Sequence, residues 1–131
     1  MLTNSSLLKE HGYVNGKWVG DDAKSRFDVK NAYTNEVIST LPDMGKKETD
    51  EAINAANEAW PDWKSRTAKE RAIILKKWFD LIMANQEDLA ILMTAEQGKP
   101  LAEAKGEIGY GAAFIEWFAE EGKRVYGDTI P

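Results

Sequence analysis

Few side chains in this sequence can do chemistry, and their spacing decides how little. There is one histidine, His11, and no cysteine among 131 residues. A histidine serves as general base or metal ligand only with partners, and Glu10 beside it does not make a site. Without cysteine there is no thiolate nucleophile, no disulfide and no Cys-ligated metal. Glu103 and Glu107, like Glu116 and Glu120, lie one helical turn apart. Such pairs bind metal in helical bundles when a histidine follows three residues on, and none does; they read as a solvated face. Gly106, Gly109 and Gly111 resemble a phosphate loop only superficially. A phosphate cradle sits between a strand and a helix start, where amides are free. These glycines fall inside a predicted helix, which they weaken by about 1 kcal/mol each, so they predict a close packing partner. Lys99 precedes Pro100 with no predicted pocket to desolvate it, and the serines have no histidine base but His11. No catalytic and no cofactor-binding residue is expected within the chain.

The elements follow from turn chemistry and periodicity. Asn15-Gly16 between the β-formers Tyr13-Val14 and Lys17-Trp18-Val19 predicts a hairpin with a type I′ turn. A second hairpin joins residues 27–30 to 37–41, with Asn35 suited to the left-handed position. From Pro42 on the pattern is helical. Ile53, Ala56 and Trp60 mark a helix that Pro61 is expected to end near Ala59. Thr67-Ala68-Lys69-Glu70 is a capping box opening a helix with Ile74, Leu75, Trp78, Leu81 and Ile82 on one stripe. Asn85 is expected to cap a third helix, through Leu89, Leu92 and Met93, stopped by Gly98. Pro100 suits the first turn of a fourth, reaching about Glu121 and roughly 33 Å long at 1.5 Å per residue. Ile108, Ala112, Ile115 and Phe118 form its stripe. The five tryptophans, Trp18, Trp60, Trp63, Trp78 and Trp117, read as core. The fold class is mainly α with two small β-hairpins: a flexible start over about 1–10, hairpins over 11–42, helices over 46–121 and a loop over 122–131.

Composition bounds the partners. Seventeen basic and 22 acidic side chains leave a net charge of −5, without the basic cluster that nucleic acid requires. Hydrophobic residues at 43% and charged residues at 30% fit a soluble globular chain. The start lacks the basic flank and apolar stretch of a secretory signal, and no apolar window reaches the roughly 20 residues of a membrane span. A cytoplasmic location is expected.

Several local patterns, taken in order, resemble the aldehyde dehydrogenase superfamily. They are Tyr13-Val14-Asn15-Gly16-Lys17-Trp18, Asn31-Ala32-Tyr33-Thr34-Asn35-Glu36-Val37-Ile38, Thr67-Ala68-Lys69-Glu70-Arg71, Glu96-Gln97-Gly98-Lys99-Pro100 and Tyr126-Gly127-Asp128-Thr129-Ile130-Pro131. Phe114-Ile115-Glu116-Trp117-Phe118-Ala119-Glu120-Glu121 is similar to the succinate-semialdehyde branch. The resemblance runs from about His11 onward. Ala32 stands where the family commonly has proline, and Asn35 where it has glycine; Asn still tolerates the left-handed turn.

The resemblance implies the amino-terminal segment, 1–131, of the cofactor-binding domain of an α/β enzyme. That enzyme oxidises succinate semialdehyde to succinate with NAD or NADP, through a cysteine thioester. It also implies that the cysteine, the glutamate base and the cofactor domain proper lie beyond Pro131, so the isolated chain is expected to be inactive and to bind no cofactor. Its partners are then the remainder of the dehydrogenase chain and further copies of itself. Two residue roles carry over weakly. Glu96 matches an acidic ligand of a structural monovalent cation shared with backbone oxygen near Val29 and Lys30, against the plainer reading of a helix-end residue. Tyr110 and Phe114 match a helix lining the aldehyde entrance, against plain core packing. The competing functional class is a stand-alone helical interaction module without catalysis.

Overall fold

The computed structural model describes residues 2–131. Strand β1 (Gly12–Val14) pairs antiparallel with β2 (Lys17–Val19), and β3 (Arg26–Lys30) with β4 (Val37–Pro42). Four helices follow: α1 (Lys46–Ser65), α2 (Ala68–Ala84), α3 (Gln86–Gln97) and α4 (Leu101–Glu121). The expected class, mainly α with two small hairpins, is the one observed.

The turns behave as their residues dictate. Asn15 and Gly16 take φ of 50° and 76°, the pair of positive values that a type I′ turn needs. The resulting register sets Tyr13 opposite Trp18, with ring centroids 4.9 Å apart. In the second hairpin Asn31 Oδ1 accepts from the amides of Tyr33 (2.9 Å) and Thr34 (3.0 Å), and Asn35 turns the chain at φ 61°. A bulge falls between Val29 and Lys30.

Thr67 opens α2 as a capping box. Its hydroxyl accepts from the Glu70 amide at 3.3 Å, and the Glu70 carboxylate accepts from the Thr67 amide at 2.7 Å. The amide bond from Thr67 and, next, the Thr67 hydroxyl donating to the same carboxylate at 2.8 Å hold the Glu70 carboxyl below its ordinary pKa. Glu48 likewise reaches back to the Gly45 amide at the start of α1, at 2.9 Å.

Helix α4 packs on both α2 and α3. The contact is made by small residues: Ala72, Ala90, Ala104, Ala112 and Ala119 are buried, and no large side chain is completely so. Between them Leu75, Phe79 and Ile82 of α2 and Ile108 and Ile115 of α4 are half-buried. Across the seam Lys76 of α2 meets Glu116 of α4 at 3.2 Å. Lys105 of α4 pairs with Glu87 of α3, and the Gln86 amide donates to the Lys105 carbonyl at 3.0 Å.

Several expectations are corrected. Pro61 does not end α1, which continues to Ser65. A proline forfeits one helical bond and crowds the carbonyl four residues back, but α1 has no buried residue, so water can serve what the ring displaces. The apolar stripe of α2 splits: Leu75 and Ile82 face inward, while Ile74, Trp78 and Leu81 are exposed. On α4, Phe118 faces outward and Ala119 takes the inner place. The tryptophans do not form the core; Trp18, Trp60, Trp78 and Trp117 are at least half exposed. For Trp78 of α2 and Trp117 of α4 the reason is steric: helices approaching through alanine leave no room for large side chains at the seam, so these sit on the outer faces. Asn85 occupies the junction of α2 and α3, but its side chain makes no capping bond to the start of α3; its side-chain amide donates back to the Leu81 carbonyl at 2.7 Å. The predicted packing against the α4 glycines is met only at Gly109, where a Cβ would stand 3.4 Å from Gln86 Nε2; Gly106 and Gly111 face open space. No helix among the described residues is long and apolar enough to cross a membrane.

Candidate functional site

Two places hold the residues singled out from sequence, one at the end of α3 and one on α4. The first is the corner where α3 ends. Gly98 turns the chain there at φ 79°, and its amide returns to the Thr94 carbonyl at 2.8 Å. The loop after β3 docks on the same turn, with the Ala32 amide donating to the Ala95 carbonyl at 2.9 Å. Glu96 stands exposed on this last turn, in a shallow groove with Leu89, Leu92, Met93, Gln97 and Glu107. The fold thus brings the end of β3, which carries Val29 and Lys30, beside the turn that carries Glu96. Among the described residues no three acidic or histidine side chains converge into a metal cluster. The groove beside Glu96 holds a second carboxylate, Glu107, and no residue of β3 lines it.

Lys99 completes the corner by pairing with Glu107 of α4. That hydrogen bond raises the Lys99 pKa above its ordinary value, helped by the charges of Glu107 and Glu103 and opposed by desolvation. An amine held protonated is a poor nucleophile, so Lys99 is a brace. Two further carboxylates of α4 are braced alike. Glu116 meets Lys76, whose pKa is raised chiefly by that bond, and Glu120 meets Lys123 at 3.2 Å.

The second place is the outer face of α4. Tyr110 and Phe114, one turn apart, meet edge to face with centroids 4.9 Å apart and planes at 85°. Tyr110 is 69% exposed and Phe114 46%, with Trp117 and Phe118 exposed beside them. Within this chain the pair lies outside the core. It forms an aromatic ridge on the side of α4 opposite the buried alanines.

Three arrangements escaped the sequence reading. His11 Nε2 lies 2.7 Å from Asp21 Oδ1, not against Glu10. This one was legible: continuing the register past Gly12↔Val19 sets His11 opposite Gly20, next to Asp21. The guanidinium of Arg26 donates to three carbonyls, of Glu10, Gly20 and Thr40, at 3.2, 3.2 and 2.9 Å. Buried Asp88 accepts from the amides of Thr3 (2.9 Å) and Asn4 (2.7 Å). The start, expected to be flexible, is thereby tied to α3. Backbone acceptors and donors leave no sequence signal, which is why these two were missed.

For a dinucleotide the residues present do not fit. Both sheets are two-stranded and antiparallel, whereas a dinucleotide cradle needs a strand, a glycine loop and a helix N-terminus in succession. What the arrangement presents is two hairpins and four helices with an exposed aromatic face on α4. The chain belongs to the aldehyde dehydrogenase family, whose family model matches residues 18–131. It is 57% identical to a glutarate-semialdehyde dehydrogenase of Pseudomonas putida and 56% identical to an NADP-type succinate-semialdehyde dehydrogenase of Escherichia coli, over 99% of its length. It spans about 27% of the length of each. A crystal structure of an aldehyde dehydrogenase from Brucella melitensis biovar abortus superposes with a TM-score of 0.94 at 55% identity, covering 99% of this chain and 27% of that one. The chain therefore corresponds to a segment of a dehydrogenase and resembles the succinate-semialdehyde type.

Proposed function

We propose that residues 1–131 are the amino-terminal segment of the cofactor-binding domain of an NAD(P)-dependent dehydrogenase, one that oxidises an aldehyde with a distal acid group, succinate semialdehyde foremost, to the carboxylate. The observation that carries this reading is identity of 56–57% over nearly the whole chain to semialdehyde dehydrogenases. A 3-sulfolactaldehyde dehydrogenase at 53% identity extends the shared substrate chemistry to a sulfonate. In this reading the nucleophile, the base and the dinucleotide cradle come from the remainder of the enzyme, consistent with a segment that has no cysteine. The segment contributes form. Tyr110 and Phe114 line the aldehyde entrance, and Glu96, with backbone oxygen near Val29 and Lys30, ligates a structural monovalent cation. The apolar outer faces of α2 and α4 are covered by the rest of the chain and by further copies of the enzyme.

The test is a substrate series on the full-length enzyme. Succinate semialdehyde is compared with butanal, which has the same chain length without the carboxylate. The reading expects kcat/KM for the acid to exceed that for butanal by about a hundredfold or more, equivalent to about 2.7 kcal/mol of transition-state discrimination. Equal values would remove the distal acid from the substrate class.

A further inference from the structure

Residues 3–10 pair with no strand, and none of them is fully buried. Hydrogen bonds at the two ends hold this stretch to the body of the chain. At its start the Asp88 carboxylate, only 5% exposed, takes one backbone amide on each oxygen: Thr3 on Oδ1 at 2.9 Å and Asn4 on Oδ2 at 2.7 Å. Asn4 in turn caps the short 3-10 turn Ser5–Leu7, accepting from the Ser6 amide at 3.1 Å. At the far end the Glu10 carbonyl accepts from Arg26, whose guanidinium also holds Gly20 beyond β2 and Thr40 of β4. The Lys9 ammonium lies 4.8 Å from the Trp18 ring centroid. Asp88 belongs to the first turn of α3, while the last turn of α3 receives the β3–β4 loop through Ala32. One helix therefore carries the start of the stretch at one end and the second hairpin at the other, and Arg26 joins the two paths.

We propose that residues 3–10 form a releasable strap with two polar latches, the Asp88 carboxylate and the Arg26 guanidinium, whose opening frees the chain start from α3 without unfolding the helices. Hydrogen bonds to an ionised group are about twice as strong as neutral ones, so two on one buried carboxylate dominate a stretch that buries little apolar surface. Segments with few buried apolar contacts open at lower free energy than the body of a fold. Leu7 and Leu8 are half-buried at most.

Hydrogen exchange read by mass spectrometry on the full-length protein tests this with two variants. Asp88→Asn keeps the side chain's shape but sets an amide donor against one backbone N–H. Asn4→Pro removes from the strap both the N–H that Asp88 holds and the side-chain cap of the Ser5–Leu7 turn, and leaves α3 untouched. Each is expected to speed exchange in peptides covering residues 2–10 by about tenfold or more, equivalent to about 1.4 kcal/mol, and to speed tryptic cleavage after Lys9 in step. Peptides from 86–97 and 101–121 keep the parent rates. Unchanged exchange over 2–10 in both variants would overturn the proposal. So would acceleration in Asp88→Asn that spreads equally through α3 and α4, since Asp88 would then be holding the helix rather than the strap.

Discussion

Replacing Gly98 with alanine strikes the corner that joins α3, α4 and the β3–β4 loop, and the structure sets its cost. Gly98 sits at φ 79°, a region where an L side chain costs about 1–2 kcal/mol. The new methyl would also stand 3.2 Å from the Ala32 Cβ, so one of the two must give by a few tenths of an ångström. Ala32 cannot move freely, because its amide holds the Ala95 carbonyl at 2.9 Å, a bond of about 1 kcal/mol. Alanine's smaller unfolded-state entropy returns about 0.4–1 kcal/mol. The net expectation is a destabilisation of about 1–3 kcal/mol, read as a lower urea midpoint at unchanged slope in the full-length protein. Ala32→Gly removes the facing methyl, so the double variant should recover the contact part and keep the backbone part. A midpoint unmoved by Gly98→Ala would refute the strain argument, and strictly additive effects in the double variant would refute the contact.

Glu96→Gln in the full-length enzyme should lower the melting temperature by an amount that depends on whether potassium, sodium or a bulky organic cation is present. An equal loss in every salt would leave Glu96 as a helix-end residue. Phe114→Ala should lower kcat/KM for succinate semialdehyde at least about tenfold, or about 1.4 kcal/mol, with little loss of stability. A stability loss with unchanged kinetics of the folded fraction would move Phe114 from the entrance to a packing role. The isolated 131-residue chain, with Ile74, Trp78, Leu81, Tyr110, Trp117 and Phe118 exposed, should self-associate, as apolar patches of that kind do. Light scattering that finds a monomer with cooperative melting would count against it.

Local signals in the sequence were read well where one residue type forces one backbone shape. Asn15-Gly16, Asn35, the Thr67 capping box and Gly98 all act where expected, because positive φ and orphan amides admit few residue types. The aldehyde dehydrogenase resemblance was likewise legible from short ordered motifs, above all Glu96-Gln97-Gly98-Lys99-Pro100. Packing was less legible. Periodicity finds an apolar stripe but not which part of it faces inward, and α2 and α4 are apolar on more than one side. Alanine settled the matter at both seams, and alanine is the residue a stripe argument weighs least. Pro61 shows a related limit: a proline predicts a break, but an exposed helix tolerates one. The Asp88 and Arg26 bonds were out of reach, since every backbone amide and carbonyl is an equal candidate until the fold picks one. At the candidate site the sequence named Glu96, Tyr110 and Phe114. The structure adds the neighbours of each, the β3 end beside Glu96 and the exposed aromatic ridge around the pair.

We propose that this segment is scaffold and that the chemistry comes from the remainder of the enzyme. Reduction of NAD and NADP by succinate semialdehyde tests it most directly, followed by nicotinamide absorbance on the purified 131-residue chain and on the full-length protein in parallel. Covalent aldehyde oxidation needs an activated nucleophile and a held nicotinamide. This chain has no cysteine, its Lys99 is paired with Glu107, and among the described residues its two sheets are antiparallel strand pairs. Turnover is expected from the full-length protein and a rate equal to the buffer blank from the segment. Turnover by the segment that persists through further purification would contradict it.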